Sequence, residues 1–136
     1  MKSHQYIAVD IGAESGRTIV ATFDGHRIAL QETHRFPNGH VRALGTMYWD
    51  ILRLWQEIKV GLRESLSLGQ AESVGIDTWG VDFGLIAEDG SLLGNPVHYR
   101  DARTEGIFEY AESIVPRSEI YRRTGLQFLP FNTLLQ

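Results

Sequence analysis

The chain has 136 residues, a formal charge of −4 and no cysteine, with 43% apolar and 22% charged residues. That length makes one domain the expectation, and the mild acidity argues against broad binding to nucleic acid or anionic membrane, which leaves a basic patch. The missing thiols exclude disulfides and zinc–cysteine sites and fit a cytoplasmic protein.

In chain order, MKSHQ at residues 1–5 is too polar for a signal peptide, and no apolar run reaches membrane-spanning length. Tyr6–Asp10 is a short β-branched and apolar run and predicts a buried strand. Arg17–Phe23 (RTIVATF) is dense in strand formers. Asp24-Gly25 is a turn signal, and Ile28–Arg35 predicts a returning third strand. Phe36–Thr46 contains Pro37-Asn38-Gly39 and Gly45 and reads as a loop. Asp50 then caps a helix whose Ile51, Leu54, Trp55, Ile58 and Leu62 recur at helical spacing, with Gly69 at its end. Gly61 inside that helix is unfavourable by about 1 kcal/mol relative to alanine.

Ser73–Asp77 is a further short apolar strand. Val81–Ala87 and Leu92–His98 flank Glu88-Asp89-Gly90 as a hairpin. Thr104 opens a second helix to Ile114, closed by Pro116, and Ser118–Thr124 forms a third that ends at Gly125. Tight turns between three strands, a helix and another strand give a mixed sheet of the α/β kind. The terminal FLPFNTLLQ is apolar, so Leu134 and Leu135 are expected to need a partner surface, as in a truncated chain.

The stretch DIGAESGRT fits neither common phosphate loop. A P-loop needs G-x-x-x-x-G-K-[ST] opening a helix. Here Gly12 and Gly16 are one residue too close, Arg17 stands for lysine, and a strand follows. The dinucleotide fingerprint lacks its second glycine and its helix. What remains is a strand–turn–strand unit. Its glycines allow unusual backbone angles, so that N–H groups converge on an anion. Ser15 adds a hydroxyl and Arg17 a fixed charge. Asp10, at the end of the first strand, would repel a bare phosphate but suits a hydrated Mg²⁺. A plain hairpin is the alternative, and Glu14 on its own reads as a solvated loop side chain. The stretch resembles the phosphate hairpin of actin-, hexokinase- and Hsp70-like ATPases.

A second constellation follows. GIDTWGVDF places Asp77 at a strand end and then clusters Trp79, Gly80, Asp82 and Phe83. VHYRDARTEG adds Tyr99, Arg100, Asp101 and Arg103. Aromatic faces stack on the C–H face of a sugar, and charged side chains hydrogen-bond its hydroxyls. Each member also has a plain structural role open to it. Trp79 and Phe83 suit a core, and Asp101 suits an ion pair with Arg100 or Arg103. The five histidines show no ligand-like spacing. Arg117, Arg122 and Arg123 are expected to face solvent, and Trp49 and Trp55 to be core.

Taken together, VDIGAESGR, THRFPNG, GIDTWGVDF, YRDART and TGLQFLPFNTL resemble the N-terminal part of the FGGY carbohydrate kinase family, in register over essentially the whole chain. The last three are specific to its rhamnulokinase branch. The resemblance implies an α/β chain of the ribonuclease H-like, actin-like ATPase fold, with a mixed sheet and flanking helices. Residues 1–136 would form an incomplete N-terminal domain. It implies ATP and Mg²⁺ as cofactors and a sugar substrate, L-rhamnulose or a similar ketose, with no nucleic acid or membrane partner.

By position, Gly12, Ala13, Glu14, Ser15, Gly16 and Arg17 match the ATP-contacting turn and Asp10 the acidic residue beside it, which would meet the metal through water. Gly80 matches a substrate-contacting glycine, with Trp79 and Asp82 in the same pocket and Arg100, Asp101 and Arg103 as contacts or supports. Glu14 departs from the serine of many members, which removes a hydroxyl and leaves the backbone cradle. The family's catalytic aspartate and adenine pocket lie beyond the position matching Gln136, so no catalytic residue is expected within this chain. The rest of the kinase is expected to pack on its apolar end. Another FGGY kinase for a different ketose or polyol, a non-catalytic sugar-sensing domain and an actin-like assembly protein remain as alternatives.

Overall fold

The computed structural model describes residues 3–136. The chain divides into two compact units. One holds the sequence up to His40 with Asp50–Gly80, the other Val41–Trp49 with Val81–Gln136.

The first unit is a four-stranded sheet with one helix on it. Its strands are β1 (His4–Ile11), β2 (Ser15–Phe23), β3 (Ile28–Pro37) and β6 (Ser73–Asp77), in the order β3-β2-β1-β6. β1 to β3 are antiparallel neighbours, and β6 pairs parallel with β1. A parallel neighbour needs a crossover. Helix α1 (Ile51–Leu66) lies within the connection that carries the chain from β3 to β6. Alternation along β1 buries Ile7, Val9 and Ile11 on one face. Val9, Ile11, Phe36, Leu54 and Ile58 form the core, with Ile51, Leu62 and Trp79 packed against it.

Helix α1 begins as its sequence predicts. The Asp50 carboxylate accepts from the Arg53 N–H at 3.1 Å, satisfying one of the orphan amides of a helix start. Gly61 has a packing reason. A Cβ there would overlap the side chain of Thr18, which is fully buried on β2. Thr18, Thr33 and Ser65 join their hydroxyls in a chain at 2.8 and 2.7 Å, so β2, β3 and α1 meet through satisfied polar groups. Trp55 departs from expectation. It is 54% exposed beneath Lys59, because it falls outside the stripe of Leu54 and Ile58.

The expected loop over Phe36–Thr46 is largely strand. β3 continues to Pro37, and β4 (His40–Ala43) and β5 (Thr46–Trp49) form a two-stranded sheet. Leu44 and Gly45 make their turn with φ of 50° and 87°, the left-handed pair that such hairpins require. The other side of β5 is also used. The Trp49 N–H donates to the Pro96 carbonyl at 2.9 Å and the His98 N–H to the Met47 carbonyl at 3.0 Å. The hairpin expected across Glu88–Gly90 is present as a turn with one bridge, Ile86 to Leu92, rather than as two full strands.

Helix α2 (Ile107–Ile114) starts after Gly106, not at Thr104, which is buried in a 3-10 turn at Ala102–Thr104. Helix α3 (Arg117–Thr124) ends on left-handed Gly125. Arg122 and Arg123 are exposed beside Glu119. Arg117 is not simply solvated. Its guanidinium lies 4.4 Å from the Phe128 ring centre, and Phe128 stacks on Phe108. Of the terminal leucines, Leu135 is buried within this unit, whereas Leu134 is 68% exposed.

Candidate functional site

Three residues, Gly12 to Glu14, connect β1 to β2 in the first unit. Contrary to the sequence argument, neither Gly12 nor Gly16 has positive φ. Their lack of a side chain matters for space instead. A Cβ on Gly12 would stand 3.1 Å from the Ser15 carbonyl oxygen, and one on Gly16 would overlap the Phe36 ring. Gly16 is buried beneath that ring, while Gly12, Ala13 and Ser15 are half-buried and Glu14 is exposed.

Two carbonyls of the turn and that of Ser15 are engaged within the chain. The Ser15 oxygen accepts from the Gly12 N–H at 2.9 Å, the Glu14 oxygen from the Asn38 N–H at 2.9 Å, and the Gly12 oxygen from Asn38 Nδ2 at 2.8 Å. Asn38 was hidden in the sequence, where Pro-Asn-Gly signals only a turn.

Asp10 and Arg17 face each other across β1 and β2. Arg17 Nε donates to Asp10 Oδ2 at 2.9 Å, with Nη2 at 2.8 Å from the same oxygen. The row continues in register to Asp77 on β6 and to Arg35 on β3. Arg35 is held by Glu32, whose carboxyl lies below the ordinary range mainly through that hydrogen bond. The row therefore runs from two arginines to two aspartates, and opposite charges meet at its centre, where Arg17 is bound to the first-strand carboxylate. Trp79 packs on the core of this unit. Gly80 is exposed, and a Cβ there would meet nothing within 4 Å.

The remaining predicted residues lie in the second unit. Asp82 Oδ2 accepts from Trp49 Nε1 at 2.8 Å. Trp49 is buried against buried His98, their tilted rings 4.2 Å apart at the centres, and His98 stacks on Tyr99. His98 Nδ1 accepts from the Arg100 N–H, and the Arg100 guanidinium lies over Tyr99. The Asp101 carboxylate accepts from two backbone amides, Met47 at 2.8 Å and Arg103 at 3.0 Å. These bonds, that from Met47 foremost, hold its carboxyl below the usual aspartate range. Asp101 thus anchors β5 instead of pairing with an arginine side chain.

Arg103 reaches Gln136 Oε1 at 2.6 Å and lies over Phe83. Val81 was not singled out by sequence, yet its φ is 74°, a strained value for a β-branched residue. Its carbonyl accepts from Thr133 Oγ1 at 2.7 Å and Gln136 Nε2 at 2.9 Å.

An amide-bearing β-turn beside a strand-end carboxylate, followed by the Gly80 segment, matches a family model across residues 5–136: the FGGY family of carbohydrate kinases, N-terminal domain. The chain belongs to the FGGY family. A rhamnulokinase from Klebsiella pneumoniae subsp. pneumoniae is 46% identical over the whole of this chain, which spans 28% of that relative. Solved structures share its fold. A gluconate kinase from Lactobacillus acidophilus superposes with a TM-score of 0.77 at 16% identity, over 96% of this chain and 26% of that one. A Plasmodium falciparum glycerol kinase with ADP superposes with a TM-score of 0.69 at 16% identity, over 97% and 27%. These neighbours are sugar kinases of the actin-like ATPase fold, and the mixed sheet with its flanking helix is part of that fold.

Proposed function

We propose that the chain is the N-terminal portion, residues 1–136, of the first domain of an ATP-dependent sugar kinase that converts L-rhamnulose to L-rhamnulose 1-phosphate in the cytoplasm. The observation that carries this reading is the 46% identity to a rhamnulokinase along the full chain. In the reaction, a sugar hydroxyl oxygen bonds to the γ-phosphorus as the bond to the bridging oxygen of ADP breaks. The hydroxyl proton passes to a carboxylate from the remainder of the kinase.

In this proposal, the turn from Gly12 to Arg17 meets the polyphosphate. With the Gly12 and Glu14 carbonyls engaged by Asn38 and the Gly12 N–H by Ser15, the turn would offer amide hydrogens beyond Gly12 to an anion. A glycerol kinase structure with ADP, which shares the fold, supports nucleotide as the ligand. Asp10 fits Mg²⁺ as a single carboxylate, since that ion keeps most of its waters. When bound, Mg²⁺ neutralises charge on the phosphates. Arg17, now paired with Asp10, keeps that carboxylate oriented. Trp79 and Gly80 would contact the sugar, Gly80 because its exposed backbone allows close approach. Asp82, Arg100, Asp101 and Arg103 would serve as sugar contacts or supports, with Asp82 held by Trp49 and Asp101 by the backbone. The remainder of the kinase would cover exposed apolar residues such as Leu134 and Ile114.

ADP release by the full-length kinase, measured over a panel of ketoses and polyols, tests the substrate. L-rhamnulose is expected to give the highest kcat/KM; a higher value for another sugar would replace the substrate while leaving the family in place.

A further inference from the structure

We propose that Asn38 positions the Gly12–Glu14 turn for polyphosphate, a role that rests on the nucleotide reading above. A turn whose glycines sit at left-handed angles is shaped by its own backbone. Here neither Gly12 nor Gly16 does so, and beyond the one bond from the Gly12 N–H to the Ser15 oxygen the shape is held from outside. Asn38 is the residue that holds it. Its side-chain Nδ2 donates to the Gly12 oxygen at 2.8 Å and its main-chain N–H to the Glu14 oxygen at 2.9 Å, so one residue brackets the turn at both ends.

The geometry also fixes which end of the Asn38 amide does this. Oδ1 accepts from the Gly39 N–H at 3.0 Å, which leaves Nδ2 as the group toward Gly12. Asn38 is itself anchored. The carbonyl of Pro37 accepts from Arg53 Nη2 of α1 at 2.9 Å, and Pro37 lies in register with Ser15 at the start of β2. The chemical consequence is specific. Carbonyl oxygens repel phosphate, and two of those in the turn are neutralised by one asparagine. Aspartate at this position keeps the size and loses the donor; alanine loses both.

The test uses the full-length kinase and its Asn38→Ala and Asn38→Asp variants. Hydrogen exchange of the segment 11–17 is followed with and without ADP, and ADP and sugar affinities are measured by calorimetry. In the unsubstituted kinase, ADP should slow exchange of that segment. In both variants the segment should exchange faster without ligand, and ADP should bind about tenfold more weakly with sugar affinity unchanged.

Unchanged exchange and ADP affinity in the variants would overturn the role of Asn38 while the nucleotide reading stood. So would equal losses of ADP and sugar affinity, which would mark a general structural residue. Absence of ADP protection in the unsubstituted kinase would remove the nucleotide reading itself, and this assignment with it.

Discussion

Asp101 shows how a residue type that suggests ligand contact can be taken up by the backbone. Its two oxygens serve the Met47 and Arg103 amides, so its removal strands the β5 amide of Met47. We expect Asp101→Asn to lower stability by about 1 kcal/mol at neutral pH. The pH dependence follows from sign. The folded carboxyl lies below its ordinary value, so its contribution is present above the unfolded pKa of about 3.9 and is lost as pH falls through the folded value. Thermal melting of the full-length kinase and the variant should therefore converge in acid; a gap that widens toward low pH would refute the assignment. Asp10 and Arg17 were legible as chemistry because a strand end and a glycine turn frame them. Their mutual ion pair followed only from the register. Asn38 was not legible, since its partners lie 24 and 26 positions earlier and no local pattern encodes such a contact.

Among the elements, α1 sets two effects against each other at Gly61. Alanine improves helix propensity by about 1 kcal/mol, but its methyl would overlap Thr18, which is fully buried and bonded to Thr33. Overpacking of that kind costs about 1–3 kcal/mol. Gly61→Ala should thus lower the melting temperature, and a rise would show that Thr18 can yield. At the start of the same helix, Asp50→Ala removes the bond to Arg53 and should destabilise by about 1 kcal/mol, again read by melting. Sequence was clear for β1, β2, β3 and α1, where runs of strand formers, the Asp24-Gly25 turn and helical spacing fall within elements of eight or more residues. It failed at β4–β5, because Leu44 occupies a left-handed position usually given to glycine or asparagine. It also placed Trp55 inside, since spacing alone does not separate the centre of a helical stripe from its edge.

At the scale of the molecule, the chain spans 28% of its rhamnulokinase relative. The family resemblance puts the general base in the remainder. Loss of such a base lowers rates about 10²–10⁴-fold, and the lost positioning from the other side of the cleft lowers them further. Residues 1–136 alone are therefore expected to form no ADP in response to sugar, whereas the full-length kinase does; sugar-dependent turnover by the short chain would disprove this. The central claim is that the β1–β2 turn holds the nucleotide phosphates. A crystal structure of the full-length kinase with Mg²⁺ and ADP tests it most directly. Phosphate oxygens within about 3 Å of amide nitrogens between Gly12 and Arg17 are predicted. Phosphates bound away from that turn, with Asn38 still bracketing it, would contradict the account.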